Sequence, residues 1–175
     1  SPPGYAASFG KGEWDIAIGA PAFATPDKAE SAGLLYRIDL VYVVAPGSSI
    51  ASSADIDRAG IKVAAVESSP SDRFLTRALK SADLVRIPLG PNAEAAVVDM
   101  MRSGKLHVFG VDAGIGSQVI SLLPGAKALP EAFETVPITV AVPKGRSAAA
   151  LVRLKEIVAE ARRSGLVQQA IDASG

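Results

Sequence analysis

The stretch at residues 61–75 constrains the fold more than any other part of the sequence. Its first half is a short, mostly apolar run, which is typical of a strand covered on both faces in a parallel sheet. Its second half carries helix start signals: Ser69 as N-cap, Pro70 directly after it, and Asp72 three positions after the cap. The stretch predicts a strand that leads straight into a helix. Small ligands bind outside the carboxyl end of such a strand, so we expect a site here.

The composition excludes several kinds of chemistry. The 175 residues contain no cysteine and one histidine, His107, which excludes disulfides, thiolate catalysis and histidine triads. Lysine plus arginine equals aspartate plus glutamate, 18 each, so no basic surplus indicates a nucleic-acid or anionic membrane partner. No apolar run reaches the ~18 residues of a membrane span. We therefore expect a binder of a small solute, without cofactor or metal and without membrane insertion.

Strand and helix patterns alternate along most of the chain, which indicates an α/β fold with largely parallel sheets. Besides the stretch at 61–75, strands are predicted at 15–20, 40–45, 84–87, 106–110 and 135–142. The two long strands at 40–45 and 135–142 bracket the middle of the chain. They predict one inserted lobe that is joined to the rest by two crossings.

Two further helices are predicted from their start and stop signals. Thr25 followed by a proline predicts a short helix that Gly33 closes, with Lys28 in its first turn. A long helix is predicted from about residue 147 to residue 163. Its core-facing residues are expected to be Leu151, Leu154, Val158 and Ala161.

Three junctions between a strand and a helix, at 19–21, 67–70 and 110–112, place small residues or hydroxyls beside free backbone N–H groups. Such a junction suits a carboxylate or another anion. The candidate ligand-binding residues at these junctions are Ala20, Ser68, Ser69, Ser71 and Asp112.

Each candidate also has a purely structural interpretation. Ser69 and Asp72 can cap their own helix, and Asp72 then partly cancels the positive helix end that an anion would use. Asp112 either accepts hydrogen bonds from a cationic or amino group of a ligand or is only an N-cap. Lys28 opposes the dipole of its predicted helix, which favours gripping an anionic group, although an exposed lysine is the commoner outcome. His107 is interpreted as a packed strand residue rather than a catalyst.

Several short segments, in their order and spacing, carry a resemblance to a known family. They lie at 12–17, 25–30, 44–48, 53–63, 142–146 and 164–167. Together they resemble the type II periplasmic solute-binding proteins of ABC transporters, in the branch that includes polar amino-acid binders. The resemblance extends over nearly the whole chain.

The resemblance implies a two-lobed α/β fold of the periplasmic-binding-protein type II, in which two crossing segments join lobes that close on a ligand at the cleft. Lobe one would comprise residues 1–45 and 135–175, and lobe two residues 46–134. It also implies that lobe one lacks its first strands here, because the family's opening strand, helix and second strand have no counterpart in this sequence.

The resemblance assigns roles to individual residues. Thr25 and Lys28 match the family's Thr-Pro-Glu-Arg, whose arginine grips the ligand carboxylate; a lysine lacks that bidentate fork. The loop at 67–70 stands where the family often has Gly-Thr-Thr and offers donors to the same carboxylate. Asp112 matches the aspartate that holds the ligand's amino group. Residues 34–39 replace the family's Phe-Ser-x-Pro-Tyr, a second departure.

The function expected from this resemblance is that of a periplasmic component of an ABC transporter. It would capture a small polar or anionic solute, an amino acid or related carboxylate, and deliver it to a membrane permease. An enzyme on the same fold, similar to cyclohexadienyl dehydratase, is the first alternative, with Glu67 as the candidate acid or base. The effector-sensing domain of a LysR-type regulator or sensor kinase is the second.

Overall fold

The computed structural model of the protein describes residues 11, 14–19 and 28–173. The chain divides into two compact units: unit 1 comprises Ser1–Arg37 and Pro137–Gly175, and unit 2 comprises Ile38–Val136. Two long strands, β2 (Ala29–Val44) and β7 (Glu134–Pro143), continue from one unit into the other. The lobe boundaries given above for the sequence stay a prediction.

Unit 2 is built on parallel strands that alternate with helices. Its strands are the second half of β2 together with β3 (Lys62–Val66), β4 (Asp83–Ile87), β5 (Val108–Asp112) and β6 (Lys127–Ala128). Its helices are α1 (Pro70–Ala78), α2 (Ala93–Arg102) and α3 (Ala113–Leu122), with a single 3-10 turn at Ser53–Asp55. The predicted strand and helix at 61–75 are confirmed as β3 and α1.

The strand order places three carboxyl ends side by side. In β3, Val63 pairs in parallel with Leu84 of β4 on one side and with Val108 of β5 on the other. The antiparallel neighbours lie outside this group, because β2 pairs with β5 and β6 pairs with β2. Parallel strands end at the same edge of a sheet, and here each of the three leads into a helix. The amino ends of α1, α2 and α3 therefore lie near one edge.

The core of unit 2 covers both faces of the sheet. Val63, Ala64 and Ala65 of β3 are all fully buried, and successive residues of a strand face opposite sides. Phe109 and Val97 belong to the apolar cluster on one side. The cluster on the other side contains Val44, Val63, Leu75 and Val108. The prediction that this strand is covered on both faces is confirmed.

The described part of unit 1 contains fewer elements and a smaller buried cluster than unit 2. Its described elements are β1 (Ala17–Gly19), the first half of β2, most of β7, α4 (Ala148–Arg163) and α5 (Leu166–Ala173). β1 pairs antiparallel with β7, with Ala17 opposite Ala141. The described cluster consists of Ala32, Val140 and Val158, with Leu35, Leu151 and Leu154 partly buried against it. Of the four residues predicted to face the core from α4, only Val158 is fully buried.

The helix predicted from Thr25 to Gly33 is wrong in its described part. β2 already begins at Ala29, and Lys28 lies in the preceding turn, where its carbonyl oxygen accepts a hydrogen bond of 2.9 Å from the Lys144 amide. Gly33 has a φ of +129°, which an α-helix does not contain, so it lies inside the strand instead of ending a helix. Ala20 and Thr25 lie outside the described residues.

Candidate functional site

A cavity of about 170 Å³ lies in unit 2 at the carboxyl ends of the three parallel strands. Each strand-to-helix junction contributes to its lining. The junction of β3 with α1 contributes Ser69, Pro70 and Ser71. The junction of β4 with α2 contributes Leu89, Gly90 and Glu94, and the junction of β5 with α3 contributes Gly110, Val111 and Asp112. Ile38 and Leu40 of β2 complete one wall. The cavity is where sequence analysis expects a ligand, at the edge where parallel strands end.

The junction of β3 with α1 uses most of its own polar groups. The Ser69 hydroxyl accepts a hydrogen bond of 3.1 Å from the Asp72 amide, as an N-cap does. Ser68 has a left-handed backbone, with φ at +63°, and its amide donates to Asp72 Oδ2 at 2.9 Å. The capping interpretation of Ser69 and Asp72 is therefore confirmed. Ser68, a predicted ligand-binding residue, has its amide engaged and does not line the cavity.

The positive end of α1 is already balanced by charge within the chain. Asp72 is only 8% exposed, and its Oδ1 accepts a hydrogen bond of 2.9 Å from Arg86 Nε. Arg86 also donates to the Thr76 hydroxyl at 2.8 Å, and that hydroxyl donates to the Asp72 carbonyl oxygen at 2.7 Å. Asp72 thus reduces the attraction of this helix end for an anion, while Arg86 offsets part of the Asp72 charge.

Ser71 is the polar group of this junction that is left without a partner. It is 3% exposed and lines the cavity, yet its hydroxyl forms no hydrogen bond with any described residue. Its backbone N–H, in the first turn of α1, is likewise without an acceptor in the described part of the chain. Because no fully buried side-chain N or O atom of the described residues lacks a hydrogen bond, this hydroxyl oxygen is not sealed from solvent, and Ser71 offers an accessible hydroxyl to a polar atom of a ligand in the cavity.

Asp112 has the N-cap role of its structural interpretation, and its ligand-binding role stays a prediction. Its Oδ1 accepts a hydrogen bond of 3.0 Å from the Ile115 amide and so caps α3. Its Oδ2 has no hydrogen-bond partner among residues 28–173, and the residue lines the cavity. One oxygen is thus structural, and the other remains available to a cationic group.

Glu94 lines the cavity but is not among the residues predicted from the sequence. It lies in the first turn of α2, where acidic residues commonly stabilise the helix dipole, so its type and position give no separate functional signal. Among the described residues, no partner is found for its partly buried carboxylate. Only the proximity of two strand ends, which the sequence does not specify, brings it to the same cavity as Asp112.

The remaining candidates have other positions. Lys28 is an exposed residue of unit 1. Glu67, proposed as an acid or base, is exposed and does not line the cavity. His107 is partly buried, and its Nδ1 accepts a hydrogen bond of 2.9 Å from the Lys62 amide, which agrees with the interpretation as a strand residue.

The described residues show neither the side-chain cluster of a metal site nor a helix of the membrane-spanning kind. Within them, no group of three or more His, Cys, Asp or Glu side chains is arranged to hold a metal ion. None of the helices in the described ranges has both the length and the apolar character needed to cross a bilayer.

No protein-family model and no curated protein matches the chain, but many solved structures do. One is assigned as a binding component of an ABC transporter from Wolinella succinogenes, complexed with lysine, at 16% identity and a TM-score of 0.75 over 94% of this chain and 71% of that chain. Another is the AvGluR1 ligand-binding domain with glutamate, at 16% identity and a TM-score of 0.74, covering 97% and 71%. A third is an ancestral amino-acid-binding protein, a precursor of cyclohexadienyl dehydratase, at 16% identity and a TM-score of 0.72, covering 96% and 72%.

These similarities establish the fold. The chain has an α/β fold like that of the type II periplasmic binding proteins, as the resemblance of its segments implies. At identities of 13–19%, the similarity does not transfer a ligand. The chemistry of the site has to come from its own residues.

Proposed function

We propose that the chain is the solute-binding component of an ABC transporter. It captures a small polar solute with an amino group, an amino acid or a close relative, and delivers it to a membrane permease. Its place is outside the cytoplasmic membrane, in the periplasm. The ligand-binding set consists of the predicted residues Ala20, Thr25, Lys28, Ser68, Ser69, Ser71 and Asp112, of which Ser69, Ser71 and Asp112 line the cavity.

The observation that carries this proposal is the pair of unused polar groups in the cavity. Asp112 Oδ2 is an acceptor for an ammonium group, and the Ser71 hydroxyl and amide are donors for a carboxylate. An α-amino acid carries those two groups on the same carbon. The solved structures of similar fold support the same class, since they include proteins bound to lysine and to glutamate.

The volume of the cavity is large enough for only one part of the solute. Sites that bury most of a drug-sized ligand have volumes of roughly 300–1,000 Å³. The cavity of unit 2 has about 170 Å³, enough to hold one end of a small solute. The rest of the solute is left for another surface of the protein to cover, as expected of a fold whose members close on their ligand.

The first experiment is calorimetric titration of the full-length protein with amino acids and simple carboxylates, repeated with Asp112→Asn. The variant keeps an oxygen to cap α3 but loses the negative charge. Because a hydrogen bond to a charged group contributes about 1.5–3 kcal/mol, amino-acid affinity should fall roughly tenfold or more.

Asp83→Asn is the matched control, since Asp83 is exposed at the opposite end of β4. Affinity should be unchanged in this variant. Absence of binding to any amino acid or carboxylate by the full-length protein would refute the proposal, and so would an Asp112→Asn variant with unaltered affinity.

An enzymatic function is the second candidate, because one similar structure is a precursor of cyclohexadienyl dehydratase. Glu67, its candidate acid or base, does not line the cavity, which weakens this alternative. An assay for turnover of prephenate or arogenate distinguishes the two, since a transport component binds its solute without converting it.

A further inference from the structure

We propose that Glu94 makes this site selective for diamino acids, solutes of the lysine and ornithine type that carry a second cationic group. The inference rests on the proposed function, because it assumes that an amino acid occupies the cavity. It adds a specificity-determining residue and a narrower substrate class. The charge, the unused groups and the apolar lining of the cavity each support it.

The charge of the cavity favours a cation over an anion. Among the described lining residues, Glu94 and Asp112 are the charged ones, and both are acidic. Arg86, which reaches the first turn of α1, is already paired with Asp72. Two carboxylates in a partly enclosed space repel each other unless positive charge lies with them. A solute with one ammonium group neutralises one of them; a diamino acid neutralises both.

Glu94 has a structural interpretation that must be weighed first. In the first turn of α2 an acidic residue favours the helix, and Asn92, the N-cap, provides no side-chain hydrogen bond. That role needs no position in a cavity, however, and it leaves the carboxylate itself without an ion pair or hydrogen bond anywhere in the described ranges. The carboxylate is therefore an unpaired acceptor for a cationic ligand group, and an ion pair formed away from bulk water is stronger than one in water.

Ser71 gives an independent indication that the cavity receives a ligand. Ser71 is only 3% exposed, lines the same space and has no hydrogen-bond partner for its hydroxyl in the part of the chain described. Because that oxygen is not sealed from solvent, it is suited to a polar atom brought into the cavity from outside. Together with the Ser71 amide it serves the carboxylate of the solute. The cavity then offers distinct groups to all three charged ends of a diamino acid.

The apolar lining suits what lies between those ends. Pro70, Leu89 and Ala93 line the cavity beside Glu94, and Leu89 is 51% exposed. The methylene groups of a lysine or ornithine side chain can pack on these surfaces while the terminal ammonium reaches a carboxylate. A short hydroxylated or acidic side chain gains neither contact.

The test is calorimetric titration of the full-length protein with lysine, ornithine, glutamine and 1,4-diaminobutane. The wild-type protein should bind lysine or ornithine at least tenfold more tightly than glutamine. Glu94→Gln should reduce the affinity for the diamino acid about tenfold or more while leaving glutamine within about twofold. Glu131→Gln, at an exposed glutamate of unit 2 outside the cavity, should change neither.

The outcomes separate this inference from the proposed function. If glutamine binds as tightly as lysine, or if Glu94→Gln weakens both equally, selectivity by Glu94 is refuted while an amino-acid binder remains. If 1,4-diaminobutane binds and the amino acids do not, the solute is a diamine and the inference fails. If none of the four binds, the inference fails, and the wider titration with amino acids and carboxylates decides whether the proposed function fails as well. Thermal unfolding of Glu94→Gln reports any loss of helix stability separately from the change in selectivity.

Discussion

The carboxylate of Asp57 joins two connecting segments of unit 2 at the ends of the strands opposite to the cavity. Its Oδ1 accepts hydrogen bonds from the amides of Lys80, Ser81 and Ala82 at 2.9, 2.7 and 2.9 Å, and its Oδ2 accepts a second one from Lys80 at 3.0 Å. These bonds, with that from Ala82 the largest contribution, hold the pKa of Asp57 below its usual value. The charged form is therefore the one that the fold stabilises.

Asp57→Asn should lower the melting temperature at neutral pH, because the amide presents one weaker acceptor oxygen to three donors. A carboxyl with a lowered pKa contributes stability above its unfolded pKa and loses it as pH falls through the folded one. The difference in melting temperature between wild type and variant should therefore shrink as the pH falls below 3.8, the ordinary pKa of an aspartate carboxyl. Thermal unfolding followed by circular dichroism from pH 7 downward checks this.

Asp83→Asn is again the control, because the Asp83 side chain has no partner among the described residues. The melting temperature of this variant should equal that of the wild type. A difference for Asp57→Asn that stayed constant with pH would show that its effect is steric and not electrostatic.

At the residue scale, the sequence predicts the site only where a local signal marks it. Ser69 and Asp112 stand out because each follows an apolar run and opens a helix. Glu94 gives no such signal, because a first-turn acid is expected on any helix. The absence of a partner for Ser71 depends on packing that adjacent residues do not reveal. Local sequence patterns therefore do not predict which residues from distant strand-to-helix junctions line the same cavity.

At the scale of elements, Gly110 sets how closely β5 approaches α1. A Cβ at this position would lie 2.8 Å from Leu75 Cδ1 and 3.5 Å from a ring carbon of Phe133. Leu75 is fully buried, and Tyr42 and Phe74 pack on Phe133 with ring centroids 4.3 and 5.0 Å away. The neighbours have little space into which to move, so only glycine fits here.

Gly110→Ala should destabilise the protein by about 1–3 kcal/mol, the usual cost of overpacking a core. It should also weaken solute binding, because displacing Leu75 shifts α1, which carries Ser71. Denaturant unfolding and calorimetric titration measure the two effects. Gly90→Ala provides the comparison for stability, since a Cβ there meets no atom within 4 Å, and equal stability of both variants would contradict the close approach.

The two helices predicted from an N-cap residue followed by proline show why some elements are predictable and others are not. α1 forms as predicted because its cap, its proline and its apolar face agree within one short stretch. The helix predicted to end at Gly33 fails because the residues after it continue into β2, and the strand extends back to Ala29. That extension depends on pairing with residues more than 100 positions away, which no local pattern contains.

At the scale of the whole molecule, the units differ in how much apolar surface they bury. The strands β3 and β5 lie between two large clusters, whereas α4 has one fully buried residue among 16. Local opening costs least where few buried contacts must be broken. The alternation of strands and helices predicts the fold class correctly, but this imbalance is visible only in the structure.

Native-state hydrogen exchange should therefore be markedly slower for the central amides of β3 and β5 than for those of α4. Mass spectrometry of peptides from residues 62–66 and 148–163 measures the difference. Equal protection of the two peptides would mean that α4 is held by contacts beyond the described cluster of Ala32, Val140 and Val158.

The divided carboxylate of Asp112 has a consequence for how tightly a solute can be held. Since the bond to the Ile115 amide fixes the side chain in one rotamer before any solute arrives, binding does not have to freeze that torsion. Immobilising a side chain at an interface costs roughly 0.5–1.5 kcal/mol, which a free aspartate on a loop would lose. In the proposed site, the same bond that caps α3 would therefore hold the Asp112 carboxylate ready for the ammonium group of the solute.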